Sequence, residues 1–384
     1  MRAPIAAAII AATLSVAPTA FAPAALAQVQ HPATHPPIIP FPSPFQLQVM
    51  SKARKVGTSM PSGWWATIAA KPDAWFKTEE ARAIGDNIIS WQISETGAWP
   101  GGDVVTQPFR GEEGQIGWRG HSSSLYRFDQ MRFLARLYAA TGEERYRQSL
   151  DTGLAYVLEA QTPKGGWPYG SHPSQAAHNA RYATFNDDAT TKIMEFVREV
   201  ATEPAYAKVN PGRQVQAKAA FDKGIAYILR AQIVADGKLT AWGAQHDEVT
   251  YEPRMGRMFE PPAISANESA GVVLLLMTLE NPSPEVVRAV ESAVAWYKAS
   301  ALKGVRIDRP ANGDRVVVAD PKAKPIWARY YEIPTNRPIF AGRDGIVRYT
   351  LAPVELERRA GYAWYGDWGD AVIERYQTWA KARA

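Results

Sequence analysis

Gly153-Leu154-Ala155-Tyr156-Val157-Leu158-Glu159-Ala160-Gln161, running on to Gly165-Gly166-Trp167-Pro168, decides the fold, because the chain repeats it. Upstream, Gly85-Asp86-Asn87-Ile88-Ile89-Ser90-Trp91-Gln92 leads to Gly97-Ala98-Trp99-Pro100. Downstream, Gly224-Ile225-Ala226-Tyr227-Ile228-Leu229-Arg230-Ala231-Gln232 leads to Trp242-Gly243. The lead glycines stand 68 and 71 residues apart, and a weaker copy, Ala293-Val294-Ala295-Trp296-Tyr297, begins 69 residues after Gly224. A period near 70 is too long for one helix hairpin of a solenoid. It predicts two helices and a long functional loop in each unit.

Periodicity supports helices. Phe133, Leu134, Leu137 and Tyr138 fall on one face at i, i+1, i+4, i+5, and Thr141-Gly142 stops that helix. Gln214 to Ala231 and Pro284 to Ala301 carry similar patterns, and Ala270 to Leu279 reads as a buried helix too short to span a bilayer. Strand-like alternation is scarce, with Arg315-Val316-Val317-Val318 its best candidate. The expected class is all-α, or mainly α: an incomplete α/α toroid of helix pairs whose long loops form a groove at one end. Residues 49–384 are expected to make this single domain.

The 384 residues are 46% hydrophobic and 21% charged, which suits a globular chain with a sizeable core. A net charge of +5, scattered rather than blocked, suits an acidic partner and gives no nucleic-acid-binding tail. There is no cysteine, so disulfides, thiolate metal sites and thiol catalysis are excluded. Residues 1–27 read as a secretory signal: Arg2 precedes an Ala-rich apolar stretch that ends in the small-x-small site Ala25-Leu26-Ala27. Pro4, Pro18 and Pro23 make that stretch a poor membrane span. Residues 28–48 read as a linker, with six prolines between His31 and Pro44. The expected product is an exported protein, secreted or periplasmic, free of the membrane after cleavage and monomeric.

Three loop clusters carry candidate chemistry. Phe185-Asn186-Asp187-Asp188 offers oxygen ligands for calcium, although Asp and Asn are equally the preferred caps of a following helix. Trp242 to Arg257 is polar with aromatic punctuation; His246-Asp247 there suggests a general base or a structural pair. Arg329, Arg337 and Arg343 alternate with aromatics and turn formers, as a carboxylate-binding surface or as surface ion pairs. Trp99, Trp167 and Trp242 each follow a repeat helix, where an indole either stacks on sugar or plugs its helix pair. No Gly-x-Ser-x-Gly elbow, His-Glu-x-x-His or phosphate-binding glycine loop appears.

In order, these segments resemble the pectate lyases of polysaccharide lyase family ten. The matching pieces are Arg132-Phe133-Leu134-Ala135-Arg136, Leu158 to Pro168, Thr184-Phe185-Asn186-Asp187, Gln245-His246-Asp247 with Glu252-Pro253, and Trp327 to Gly345. Glu357-Arg358-Arg359 and Gly361-Tyr362-Ala363-Trp364 continue the likeness, which covers roughly Met50 to Asp370. The resemblance implies cleavage of polygalacturonate by calcium-assisted β-elimination with an arginine base. By position Arg257 matches that base, Arg343 a substrate-binding arginine, and Asp187 an aspartate of the calcium site. Arg254, Arg337, His246 and Trp167 are further expected substrate contacts. One departure stands out. The family's Asp-Asn-Gly-Ala-Thr is replaced by Ser123-Ser124-Leu125-Tyr126-Arg127, and a hydroxyl is a weaker calcium ligand than a carboxylate.

Two other readings remain. One is an acidic-polysaccharide-binding homologue that has lost catalysis, favoured by Ser123-Ser124. The other is a glycoside hydrolase, which would need two carboxylates flanking the bond, for example Asp187 and Asp247.

Overall fold

The computed structural model describes residues 64–112, 115, 127–168 and 181–383. The expected signal and linker, and Ser123-Ser124, lie outside the described residues. Among the described residues the helices are α1 (Trp64–Ala69), α2 (Glu79–Ser90), α3 (Phe128–Thr141), α4 (Glu144–Glu159), α5 (Ala189–Thr202), α6 (Pro204–Val209) and α7 (Pro211–Ala231). They continue with α8 (Ala266–Leu276), α9 (Pro284–Ser300), α10 (Leu356–Gly361) and α11 (Trp368–Lys381). The mainly helical expectation agrees with this order. Among the described residues no helix is long and apolar enough to cross a membrane.

Local signals set the helix ends. The Thr78 hydroxyl accepts from the Ala81 N–H before α2, Ser283 caps α9 with Pro284 in its first turn, and Asn210 does the same ahead of Pro211 for α7. Gly142 stops α3 in the left-handed conformation at φ 69°, as Thr141-Gly142 predicts. Phe133, Leu134 and Leu137 are buried, so the apolar face read from sequence is the one that packs.

The repeat has a physical content. Its lead helices are α2, α4, α7 and α9, and each packs on the next; α3, α5, α8 and α11 pack against them, with α5 on α8 and α8 on α11. In each copy a tryptophan after the lead helix folds back and donates its indole N–H to that helix. Trp99 reaches Ile88 O at 2.9 Å, Trp167 reaches Val157 O at 3.0 Å, and Trp242 reaches Ile228 O at 2.7 Å. Trp327 does the same for the fourth copy, reaching Tyr297 O at 2.9 Å. The repeat glutamines join neighbouring units. Gln92 donates to Ser149 O, Gln161 to Ala220 O and Gln232 to Ala289 O, one lead helix further on each time. These amides, part-buried at Gln92 and Gln161 and buried at Gln232, satisfy carbonyls that would otherwise be stranded.

The lead glycines are needed for close approach. A Cβ on Gly153 would stand 2.6 Å from the Trp99 ring, and one on Gly224 would stand 2.3 Å from Met194 Sδ and 3.1 Å from the Trp167 ring. The indoles are therefore plugs between units rather than sugar platforms.

Short strands tie the loops together, more of them than the sequence shows. Strands β1 (Ala183–Thr184), β2 (Val234–Ala235), β3 (Lys238–Leu239), β4 (Gln245–His246), β5 (Ile264–Ser265) and β6 (Val305–Asp308) come first. They are followed by β7 (Val316–Ala319), β8 (Trp327–Ala328), β9 (Tyr330–Tyr331), β10 (Pro338–Ala341), β11 (Val347–Arg348) and β12 (Tyr365–Gly366). Most of these strands are two residues long, which leaves no room to show alternation, and the sequence signal is confined to the Val316-Val317-Val318 run of β7. Strands β11, β10, β9 and β5 form one antiparallel sheet with Ser265 opposite Tyr330, and β1 pairs β4 with Ala183 opposite His246. These pairings bring the 185–188, 247–260 and 327–362 segments together.

Candidate active site

The turn into α5 runs through two successive left-handed residues, Asp187 at φ 54° and Asp188 at φ 62°. Asp is among the few non-glycine residues that tolerate this region, so the strain is modest at each but unusual for a pair. The capping reading fails here. Asp188 sits at the N-cap of α5, yet its side chain makes no capping hydrogen bond and its backbone is not extended. The turn instead presents Asp187 outward, its side chain 71% exposed.

Behind Asp187 lies a buried cation. Arg329, between β8 and β9, has a side chain only 5% exposed. Its Nη2 binds the Glu268 carboxylate and lies 3.3 Å from Asn186 Oδ1 and 3.7 Å from Asp187 Oδ1. Glu268 is fully buried in the first turn of α8, where the helix dipole favours an anion, and also accepts from the Ser265 hydroxyl and from Asn267. Burial opposes the charge on Arg329, but Glu268 outweighs it and holds the guanidinium more firmly protonated than usual. Among the described residues Arg329 Nε is buried without a hydrogen-bond partner.

Tyr362 carries the network onward. The Arg329 guanidinium lies 4.7 Å from its ring, and its hydroxyl meets Tyr330 at 2.8 Å and donates to Glu260 at 2.9 Å. Burial raises the Tyr362 pKa far above the ordinary phenol, so this hydroxyl stays a donor. Glu260, 2% exposed, accepts from the Arg257 side chain and from the Arg257 backbone N–H at 2.8 Å. The Arg257 guanidinium lies 4.9 Å from the Phe259 ring, Arg358 lies 4.7 Å from it, and Arg343 lies 6.0 Å from it. Arg343 pairs with Glu357 at 3.0 Å and stays half exposed.

The structure thus joins Asp187, Arg257 and Arg343, expected together, into one connected cluster. Arg337 is exposed, its guanidinium 3.9 Å from the ring of Tyr349. Arg254 is half-buried between Asp247 at 3.1 Å and Glu252 at 3.0 Å. Burial alone would raise the Asp247 pKa, but the N–H groups of Thr250 and Val249 and the Arg254 guanidinium hold it at about 2.

Two expected contacts are corrected. His246 is fully buried, its Nε2 accepting from the Gly243 N–H at 2.9 Å and its Nδ1 lying 2.8 Å from Tyr251 O. Burial depresses its pKa to about 4, so it is a neutral loop brace with no free nitrogen for a sugar. Trp167 is fully buried as a repeat plug, and no face of it is open to substrate. Glu260, Glu268 and Tyr362 were missed as site residues. Glu268 had a signal, a lone acid opening the apolar run of α8, and Tyr362 lies in a segment already quoted for the resemblance; Glu260 had none.

Calcium takes six to eight oxygens. Among the described residues no three His, Cys, Asp or Glu side chains gather to hold a metal. Asp129 is engaged with Arg132 at 3.2 Å, and Asp187 offers one outward carboxylate. Among the described residues the calcium oxygens on offer therefore reduce to the Asp187 carboxylate, and Ser123-Ser124 lie outside them.

A helix-pair scaffold whose loops hold clustered arginines beside an outward aspartate is, here, that of a polysaccharide lyase. The chain belongs to the pectic acid lyase family, whose model matches residues 94–373. It is similar to the family 10 polysaccharide lyase from Cellvibrio cellulosa, at 28% identity and TM-score 0.66, covering 80% of this chain and 96% of that one. A mutant of the same enzyme in complex with trigalacturonic acid gives 29% identity, TM-score 0.66, and coverage of 80% and 97%. No curated protein matches the sequence.

Proposed function

We propose that this protein is an exported pectate lyase, secreted or periplasmic and monomeric, that cleaves polygalacturonate by β-elimination. Its helix pairs close part of an α/α toroid, and the loops at one end form the groove. The observation that carries this reading is the connected cluster of Asp187, Arg329, Tyr362, Glu260 and Arg257, with Arg343 beside Phe259. The trigalacturonic acid bound to the related lyase supports the substrate class.

In this reaction a base takes the proton on C5 of a uronate, electrons move into a C4–C5 double bond, and O4 leaves and is protonated. Charge builds on the neighbouring carboxylate as the proton departs, so fixed positive charge lowers the barrier. Arg343 supplies that charge, and Arg337 and Arg254 extend the positive face. Calcium belongs to this proposal as an ion that neutralises the uronate carboxylate, with Asp187 its donor among the described residues.

Arg257 is the proposed base. Burial favours its loss of a proton, yet the bond to Glu260 outweighs burial and raises its pKa above the ordinary guanidinium. A base role therefore requires substrate to break the Glu260 pair. That pair favours a second reading, in which Arg257 stays protonated and stabilises the carboxylate charge.

Ultraviolet absorbance of the purified protein with polygalacturonate, with calcium and with chelator, tests the proposal. Calcium-dependent absorbance, abolished in Arg257→Ala, is the expected result. Retained polymer binding with flat traces throughout would leave a binding protein in place of a lyase.

A further inference from the structure

A cavity of about 390 Å³ opens between the start of β7 and the Tyr349–Ala352 segment. Its size is that of a small-ligand pocket. Arg315 lines it without an ion-pair partner among the described residues, and Asp314 and Arg359 line it as a pair. The neighbouring acid, Asp314, is held by Arg359 through two bonds of 2.7 and 2.6 Å. Arg315 donates through Nε to Ala360 O at 3.0 Å and forms no ion pair among the described residues. Among the described residues most arginines have a carboxylate partner, whereas this one lines a cavity without one.

The other walls suit a sugar. Tyr349 is 45% exposed, and Thr350 is exposed beside it. Tyr365 lines the cavity part-buried, and its hydroxyl has no hydrogen-bond partner among the described residues. A guanidinium, an aromatic face and free hydroxyls are what a uronate residue requires: charge for its carboxylate, a flat surface for its ring, and polar partners for its alcohols.

The cavity adjoins two of the arginine-bearing loops. The Tyr349 ring carries the Arg337 guanidinium, and Arg359 follows two residues after Glu357, which holds Arg343. We infer that this cavity is an accessory subsite for a uronate unit of a polymer chain whose other units lie at Arg257 and Arg343, with Arg315 as its carboxylate-binding residue. The inference rests on the proposed acidic-polysaccharide substrate. It implies a protein that distinguishes chains long enough to occupy both places from shorter ones.

The test uses the full chain as wild type, Arg315→Gln, Arg315→Lys and Tyr365→Phe. Affinity is read by retardation in native gels containing polygalacturonate, and kinetics by ultraviolet absorbance on the polymer and on trigalacturonate. Arg315→Gln is expected to raise Kd and KM on the polymer about tenfold, the worth of one charge-assisted contact, with kcat and trigalacturonate kinetics unchanged. Arg315→Lys should recover part of the loss, and Tyr365→Phe, which removes only a hydroxyl, should weaken polymer binding about threefold. Unchanged polymer binding in Arg315→Gln and Tyr365→Phe would overturn the subsite. So would equal losses on polymer and trisaccharide. A wild type that is retarded without cleaving defeats the lyase reading alone, and the Arg315 variants still decide the subsite by retardation. A wild type that polygalacturonate does not retard defeats both.

Discussion

The Glu260 carboxylate, 2% exposed, grips Arg257 twice, once at the guanidinium and once at the backbone N–H 2.8 Å away. The same carboxylate accepts from Tyr362, so one buried anion fixes both the aromatic wall and the cation beside it. Gly256 makes room for this grip, since a Cβ there would stand 2.6 Å from Glu260 Oε2.

Glu260→Gln preserves the shape and removes the anion. If Glu260 orients Arg257 for the reaction, kcat should fall about tenfold or more with KM within twofold, the pattern of an interaction used in the transition state. Arg257 is half exposed, so solvent screens the pair and the stability loss should stay near 1–2 kcal/mol. Steady-state kinetics with a denaturation curve separate the two effects. A rise in KM alone would contradict the positioning role.

Asp187→Asn keeps a residue that tolerates the left-handed backbone and removes the outward charge. Stability should change by less than about 0.5 kcal/mol. Activity on polygalacturonate and its response to calcium should both fall sharply. An unchanged calcium titration of the rate would remove Asp187 from any role with the ion.

Trp167→Phe and Trp167→Ala separate a plug from a sugar platform. Loss of the indole should cost about 3–5 kcal/mol in the alanine variant, read as a lowered Tm. The phenylalanine variant loses the bond to Val157 O and should be destabilised by about 1 kcal/mol with KM unchanged. A raised KM in a fully folded Trp167→Phe would restore the platform reading.

His246 gives a pH dependence with a definite sign. Its folded pKa is depressed to about 4 by burial, against an unfolded value near 6.5, so between these values the unfolded chain binds the extra proton. Its neutral form is fully favourable above pH ~6.5, and stability is lost as pH falls from there toward 4, by about 3 kcal/mol in all. Denaturant midpoints at pH 7 and pH 5 should show this loss in the wild type and a smaller one in His246→Gln.

Much of the scaffold was readable because its contacts are short in sequence. Gly153, Gln161 and Trp167 recur at similar offsets since each indole reaches back only 10 to 14 residues in the first three copies. The aspartate turn was visible as a cluster, but the choice between cap and ligand was not; it depended on a backbone conformation that residue identity permits without requiring.

The sequence by itself determined the repeat, the helix ends, the family, and the arginines and aspartate worth watching. These follow from periodicity, capping and local packing, each encoded within a few turns of chain. Only the tertiary structure decided which charges meet. Asn186 and Arg329 lie 143 residues apart, and Glu260 and Tyr362 lie 102 apart. The same burial that turned His246 and Trp167 inward left Asp187 facing out. A charge is placed by the segments that fold around it, and its own neighbours in the chain carry no record of them.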